Sequence, residues 1–332
     1  MSPAPPNQPE RFFAVSLDEI EPDALLPCDV WIRHEGGRVV LYRARDLPFE
    51  PEHVERLTSM GVRQLLIAFE DAQKWSDYVG QRICALAEDT SQPLVERLRV
   101  VIDASAQTMR QVFEDPGAPH VYGSVDHVSR AIRELMGQPA ALGHAVRLMS
   151  HDYYTYTHCL QVSMYAVALA QVCGEKDPDR LAALGRGCLM HDIGKCVLPR
   201  EVLNKPGPLT GQEWELIRSH PKRGVSLLQK NGWNDPEVFE LVACHHERLD
   251  GTGYPFGLSA REISFPVRVA SVCDAFDAMT TDRAYERAKR GVEALQIIRT
   301  RGRDAYDQRV VDHFIRSLLQ PAEAGAGHPS TG

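Results

Sequence analysis

Apolar positions along the chain fall into two regimes. From residue 11 to about 80 they come as short runs between turn signals, and from about 123 to 318 they recur at helical spacing. In the first regime, Asp29-Val30-Trp31-Ile32-Arg33 and Arg38-Val39-Val40-Leu41-Tyr42 are rich in β-branched and aromatic residues and flank Glu35-Gly36-Gly37, which predicts a hairpin. Glu50 to Met60 reads as a helix and Arg63 to Ala68 as a further strand. The pattern predicts a small α+β domain over 11–90, with His34 and His53 as surface residues. Residues 1–10 and 319–332 are poor in apolar content and are expected to be disordered.

Between the regimes, 91–144 reads as a helical linker. Within it, 92–113 carries Leu94, Leu98, Val101, Met109 and Val112 at roughly helical spacing, and Asp115-Pro116-Gly117 breaks the run. This stripe reads as core-facing, with a homodimer stalk through 92–113 as the alternative. Further on, Leu160, Val162, Tyr165, Ala166 and Leu169 follow His158 on what reads as one amphipathic helix. Asp235-Pro236-Glu237 is an N-cap and N1-proline start for the helix leading to His245-His246. Pro266 to Met279 is an apolar helix interrupted by Asp274 and Asp277, two charges that are costly there unless paired or metal-bound.

Composition narrows the function classes. Of 332 residues, 43% are hydrophobic and 25% charged, the balance of a soluble protein, and the length allows two domains. A formal net charge of -8 argues against binding a nucleic-acid polymer, yet leaves room for a small anionic ligand at a local cationic centre. No run approaches the roughly 18 consecutive apolar residues of a membrane span. The first residues, MSPAPPNQPE, lack a secretory pattern, so a cytoplasmic location is expected. Eight cysteines with no C-x-x-C pair read as free thiols. Cys159, Cys244 and Cys273 read as core fillers, although each adjoins a candidate ligand.

Chemistry concentrates in seven groups: His158, His191, Asp192, His220, His245, His246 and Asp274. Imidazole and carboxylate suit first-row divalent metals, and seven such groups exceed what one ion takes once water has its share, so the count points to two metals. Neighbouring ligands such as His191 and Asp192 diverge on a helix, so the histidine can face one metal while the carboxylate bridges both.

The order His158, His191-Asp192-x-Gly194-Lys195, His220, His245-His246-Glu247, Gly253-Tyr254-Pro255, Asp274 resembles the HD-GYP family of the HD phosphohydrolase superfamily. The resemblance covers about 145–318, and both naming signatures are present in order. It implies that the α+β N-terminal domain is followed by an all-α helical HD-GYP bundle. It also implies a phosphodiesterase that opens cyclic di-GMP to pGpG, some members continuing to GMP, with a hydroxide bridging two metals as nucleophile. Fe or Mn is the implied metal, with Zn as an alternative. Asp192 would bridge, with His158, His191 and Asp274 on one metal and His220, His245 and His246 on the other. Lys195, Arg283 and Arg287 would meet phosphate, and Gly253, Tyr254 and Pro255 would form a lip of the substrate pocket and a contact surface for GGDEF cyclases. A catalytically weak sensor or cyclase-binding scaffold, or a hydrolase of a related cyclic dinucleotide, is the alternative. Two departures matter. Tyr154 stands four residues before His158, where members with a third metal have glutamate, and Glu286 stands where some members have a phosphate-contacting lysine.

Overall fold

The protein begins as a sheet and continues as a helical bundle built around one central helix. The structure, a computed structural model, describes residues 12–319 apart from 22, 35, 139, 149–153 and 282–288. The two tails expected to be disordered lie outside the described residues, but for Leu319. Strands β1 (Phe12–Ser16), β3 (Val30–Arg33), β4 (Val39–Arg43) and β6 (Gln64–Ala68) form an antiparallel sheet in the order β1-β6-β3-β4. The short strands β2 (Ala24–Leu25) and β5 (Pro48–Phe49) pair separately. The β3–β4 hairpin turns through Gly36 and Gly37, both at positive φ, a conformation glycine adopts without strain. Phe13 pairs with Ile67 and Val15 with Leu65, which puts all four side chains on one buried face. His34 is exposed, and the His53 ring caps α1 (Pro51–Ser59) by accepting from the Glu50 backbone N–H at 3.0 Å.

Helix α2 (Ala72–Glu88) is an element the sequence pattern leaves unassigned. Its buried face mixes the apolar Ala72, Trp75, Val79, Ile83 and Ala87 with Ser76 and Gly80, which blurs the apolar pattern. It seats the sheet on the bundle. Gly80 crosses α4 (Val121–Met136) so closely that a Cβ would overlap the His127 ring. Nearby, Trp75 donates its indole N–H to the buried Glu19 carboxylate at 3.1 Å, and the Gln111 amide donates to its other oxygen. Burial pushes the Glu19 carboxyl up to about 7, against those two hydrogen bonds. Phe13 stacks on His120 at 4.4 Å.

The residues expected to link the two parts build α3 (Leu94–Glu114), α4 and α5 (Ala141–Leu148), all packed on the bundle. Leu98, Val101, Met109 and Val112 on α3 are buried within the chain, so this stripe is core-facing. A single buried cluster runs from Phe13 to Phe314.

At the centre lies α6 (Thr155–Val172). Every residue from His158 to Ala170 is buried, so this helix is enclosed rather than amphipathic as its spacing suggested. It is surrounded by α3, α4, α7 (Pro178–Met190) and α12 (Phe265–Thr280). Its polar residues find partners, as where the Ser163 hydroxyl donates to Gly185 O at 3.0 Å. Short helices α8 (Arg200–Leu203), α9 (Gly211–Arg218), α10 (His220–Lys230) and α11 (Pro236–Cys244) follow α7, and α13 (Gly291–Thr300) and α14 (Gln308–Leu319) close the bundle. Asp235 caps α11 as its sequence indicates, accepting from Val238 N–H at 3.2 Å. No helix among the described residues is long and apolar enough to cross a membrane.

Candidate metal centre

Helix ends bring the candidate ligands together. His191 and Asp192 are not on a continuous helix. α7 ends at Met190, and the backbone leaves the helical region at Asp192 (φ −99°, ψ 6°) to enter a 3-10 turn over Ile193–Val197. The turn exists because the chain must pass α10 at close range. A Cβ on Gly194 would overlap His220 O, and one on Gly224 would fall 2.9 Å from Val242 Cγ1. The glycine of the His191-Asp192-x-Gly194-Lys195 run thus lets His220, first residue of α10, reach Asp192. His245 caps the C-terminus of α11, with His246 just beyond, while His158 lies in the first turn of α6 and Asp274 in α12.

The ligand atoms form two groups sharing one residue. His158, His191 and Asp192 offer atoms within 4.8 Å of one another, and so do Asp192, His220, His245 and His246. Each Asp192 oxygen faces one group: Oδ2 is 3.8 Å from His158 Nε2 and 3.6 Å from His191 Nε2, and Oδ1 is 3.1 Å from His220 Nε2 and 3.9 Å from His245 Nε2. Asp274 spans the gap, with Oδ1 3.1 Å from His158 Nε2 and Oδ2 3.5 Å from His246 Nδ1.

These residues fit a divalent ion on grounds of proton inventory. Four of the rings engage Nδ1 with an acceptor: His158 with Asp277 Oδ2 at 2.6 Å, His191 with Cys188 O at 2.7 Å, His220 with Ile217 O at 2.7 Å, and His245 with Val242 O at 2.9 Å. Nδ1 must then carry the proton, and in a neutral ring Nε2 presents a lone pair. Those Nε2 atoms meet at 3.3 Å (His158 and His191) and 3.1 Å (His220 and His245). Asp192 Oδ1, buried and 3.1 Å from a further lone pair, has no hydrogen bond. Lone pairs converging at these distances repel unless a cation lies among them.

Electrostatics favour the same protonation states. Burial pushes His191 and His245 below the usual imidazole range, for His245 with help from its histidine neighbours, and pushes His246 down to about 3 despite the opposing pull of Asp274. Burial alone would raise Asp192, but Lys195, His191 and His220 outweigh it and hold the carboxyl well below its usual range. Asp274 is likewise held down, against burial, by the hydrogen bond and charge of His158 and by His246. The result is neutral rings at His191, His245 and His246 beside ionised Asp192 and Asp274, a donor set for cations. Burial raises the thiols of Cys159, Cys244 and Cys273, in keeping with their role as filling.

Other expected residues are placed less uniformly. Lys195 Nζ is 2.5 Å from Asp192 Oδ2, so it pairs with the central carboxylate. Gly253 and Tyr254 line an open cavity of about 280 Å³ together with His245, His246 and Asp274, while Pro255 stands outside its lining. The loop is tied to the histidine turn. The Tyr254 ring packs on His246 at 4.7 Å, Tyr254 N–H donates to His246 O at 3.3 Å, and a Cβ on Gly253 would fall 2.5 Å from Glu247 Cα. The buried Glu247 carboxylate accepts from the N–H groups of Phe256 (2.7 Å) and Leu258 (2.9 Å). Arg283 and Arg287, like Glu286 and Asp152, lie outside the described residues.

Four contributors lie outside the expected site residues. Asp277 orients His158, and its signal was a charge in an apolar helix. Glu247 holds the loop, and its signal was an acid directly after the histidine pair. Trp214 and Arg218 line the cavity from α9, and nothing local in the sequence ties them to it.

A buried carboxylate facing two groups of histidine nitrogens, on helix ends of an all-α bundle, defines the class: a helical protein with a histidine–aspartate metal centre. The chain belongs to the HD domain family, whose model matches residues 138–310. It is 37% identical over 199 residues to the cyclic di-GMP phosphodiesterase PA4108 of Pseudomonas aeruginosa, covering 60% of this chain and 47% of that one. It is 33% identical over 168 residues to a cyclic di-GMP phosphodiesterase of Thermotoga maritima, covering 50% and 45%. It is 36% identical over 145 residues to 3'3'-cGAMP-specific phosphodiesterase 3 of Vibrio cholerae, covering 44% and 31%. The chain thus spans less than half the length of these curated relatives. Among solved structures, Bd1817, a HDG"Y"P protein from Bdellovibrio bacteriovorus, shares the fold with a TM-score of 0.64 at 22% identity, covering 92% of this chain and 99% of that one. Sheet and bundle are therefore both part of the common architecture.

Proposed function

We propose that this protein is a metal-dependent phosphodiesterase that hydrolyses cyclic di-GMP to linear pGpG. The observation that carries the reading is Asp192, whose two oxygens face two separate histidine groups, next to His245, His246 and Asp274, which line an open cavity. The names of the relatives from Pseudomonas aeruginosa and Thermotoga maritima support the substrate. In this reading His158, His191 and Asp274 hold one divalent ion, His220, His245 and His246 hold a second, and Asp192 is shared. Fe or Mn suits this mixed set, with Zn as the alternative. Such ions, when bound, supply Lewis-acid neutralisation of phosphoryl charge and acidify water.

The chain's own residues do the rest. Hydrolysis adds one water across a P–O3′ bond, the water's oxygen joining phosphorus and a proton going to the departing ribose oxygen. Lys195 holds the Asp192 carboxylate and adds a fixed positive charge beside the phosphoryl position. Arg283 and Arg287 are assigned to phosphate. Gly253 and Tyr254 shape the pocket wall, and Pro255 with the exposed Phe256 beside it offers a surface to a GGDEF cyclase. The chemistry is assigned to the cytoplasm.

Incubation of Mn- or Fe-loaded protein with cyclic di-GMP, followed by nucleotide separation, tests the reading. The expected product is pGpG, and no pGpG or GMP at any metal loading refutes it. The similarity to a 3'3'-cGAMP-specific enzyme favours a second reading, hydrolysis of that related dinucleotide, which the same assay resolves by comparing the two substrates.

A further inference from the structure

One wall of the cavity is explained neither by the metal ligands nor by the Gly253-Tyr254-Pro255 loop. It is α9, a helix with no fully buried residue. The helix is nevertheless firmly anchored. Thr210 and Glu213 form a reciprocal capping box, and Lys205 Nζ donates to Glu213 at 2.6 Å. This anchoring presents Trp214 and Arg218, one turn apart, to the cavity. Trp214 is 50% exposed, whereas Trp75 and Trp233 are buried. Because it lines the cavity, this half-exposed indole presents its apolar surface to whatever occupies the cavity. The Arg218 guanidinium lies 4.7 Å from the centroid of Tyr254, and the Tyr254 ring lies 4.7 Å from His246 at a tilt of 31°. Planar groups thus pile outward from the metal centre, and Trp214 adds an aromatic face at the rim.

We propose that Trp214, with Arg218 and Tyr254, forms a stacking subsite for a purine base of the substrate. The inference rests on the cyclic-dinucleotide reading and adds to it the residues that hold the base. A base presents a π face that aromatic rings and guanidinium planes bind without hydrogen-bond readout, and Trp214, Arg218 and Tyr254 all line the one cavity. Stacking binds the base equally in ground and transition states, so it acts on substrate affinity.

The test uses the metal-loaded protein, cyclic di-GMP and the variants Trp214→Ala and Trp214→Phe. Truncating a half-exposed side chain leaves the core intact. Trp214→Ala should raise KM on the order of ten- to a hundredfold, the range for losing one base–aromatic stack, with metal content equal to that of the unmodified protein. Trp214→Phe should recover most of the loss. Quenching of tryptophan fluorescence on adding cyclic di-GMP should largely vanish in Trp214→Ala. An unchanged KM in Trp214→Ala, loss of metal from it, or a phenylalanine variant as weak as the alanine one overturns the stacking subsite while leaving the phosphodiesterase reading in place. Absence of both quenching and turnover in the unmodified protein removes the reading on which the subsite rests, and the subsite with it.

Discussion

Replacing Asp277 by Asn should weaken metal binding without touching any ligand. Asp277 Oδ2 accepts the Nδ1 proton of His158 at 2.6 Å, and both residues are buried. The bond fixes the tautomer that turns Nε2 toward Asp192 and Asp274, and the carboxylate's charge makes the ring a stronger donor to a cation. Asn keeps an oxygen in place but removes the charge, so the loss should fall near tenfold, while Ala, which leaves a buried donor without a partner, should approach a hundredfold. These factors correspond to about 1.4 and 2.8 kcal/mol, the range of a hydrogen bond to a charged group, roughly 1.5–3 kcal/mol. Two measurements check this: metal retained against a competing chelator, and thermal unfolding at rising metal concentration. At a metal concentration about 100 times the native Kd, bound metal stabilises the fold by about 2.7 kcal/mol. A tenfold weaker site retains about 1.4 and a hundredfold weaker one about 0.4. Equal chelator resistance in Asp277→Asn and the parent would refute the reasoning.

Three further perturbations follow from the same geometry. Asp192→Ala removes the residue common to both ligand groups and should abolish turnover together with most bound metal, as elemental analysis and product assay would show; retained turnover would mean that Asp192 is not shared. Gly194→Ala places a methyl where His220 O lies, so α10 must shift and the His220 group should lose metal before the His158 group does, visible as a drop in metal stoichiometry. Glu19 is raised by burial from 4.5 to about 7, so its folded form binds more protons than its unfolded form between those values, and the stability it contributes below pH 4.5 is lost as pH rises through 7. Glu19→Gln should therefore remove a decline on the order of 2–3 kcal/mol between pH 5 and 8, measured by denaturant titration at each pH; identical pH slopes would count against it.

The candidate donors were legible because metal ligation needs particular side chains, and the chain displays them in an order that resembles one family. Asp274 and Asp277 were conspicuous for a physical reason as well, since a charge in an apolar helix demands a partner. What the sequence could not separate was their roles: only packing shows that Asp274 faces the ligand nitrogens while Asp277 stands behind His158.

Periodicity located the hairpin, α1, α3 and α12, since each repeats its buried positions at the period of its own backbone. It left α2 unassigned, where Ser76 and Gly80 share the buried face with apolar residues, and it misjudged α6, whose enclosure depends on packing by four other helices. The sequence by itself determined which donors exist and that they suit divalent cations, because those are properties of the side chains. The tertiary structure alone decided that His191 and Asp192 sit at a helix end and that Asp192's two oxygens face different histidine groups. It alone also decided that α9 sets Trp214 beside them. These relations depend on backbone approaches such as that of Gly194 to His220, which join residues far apart along the chain and leave no periodic trace in it.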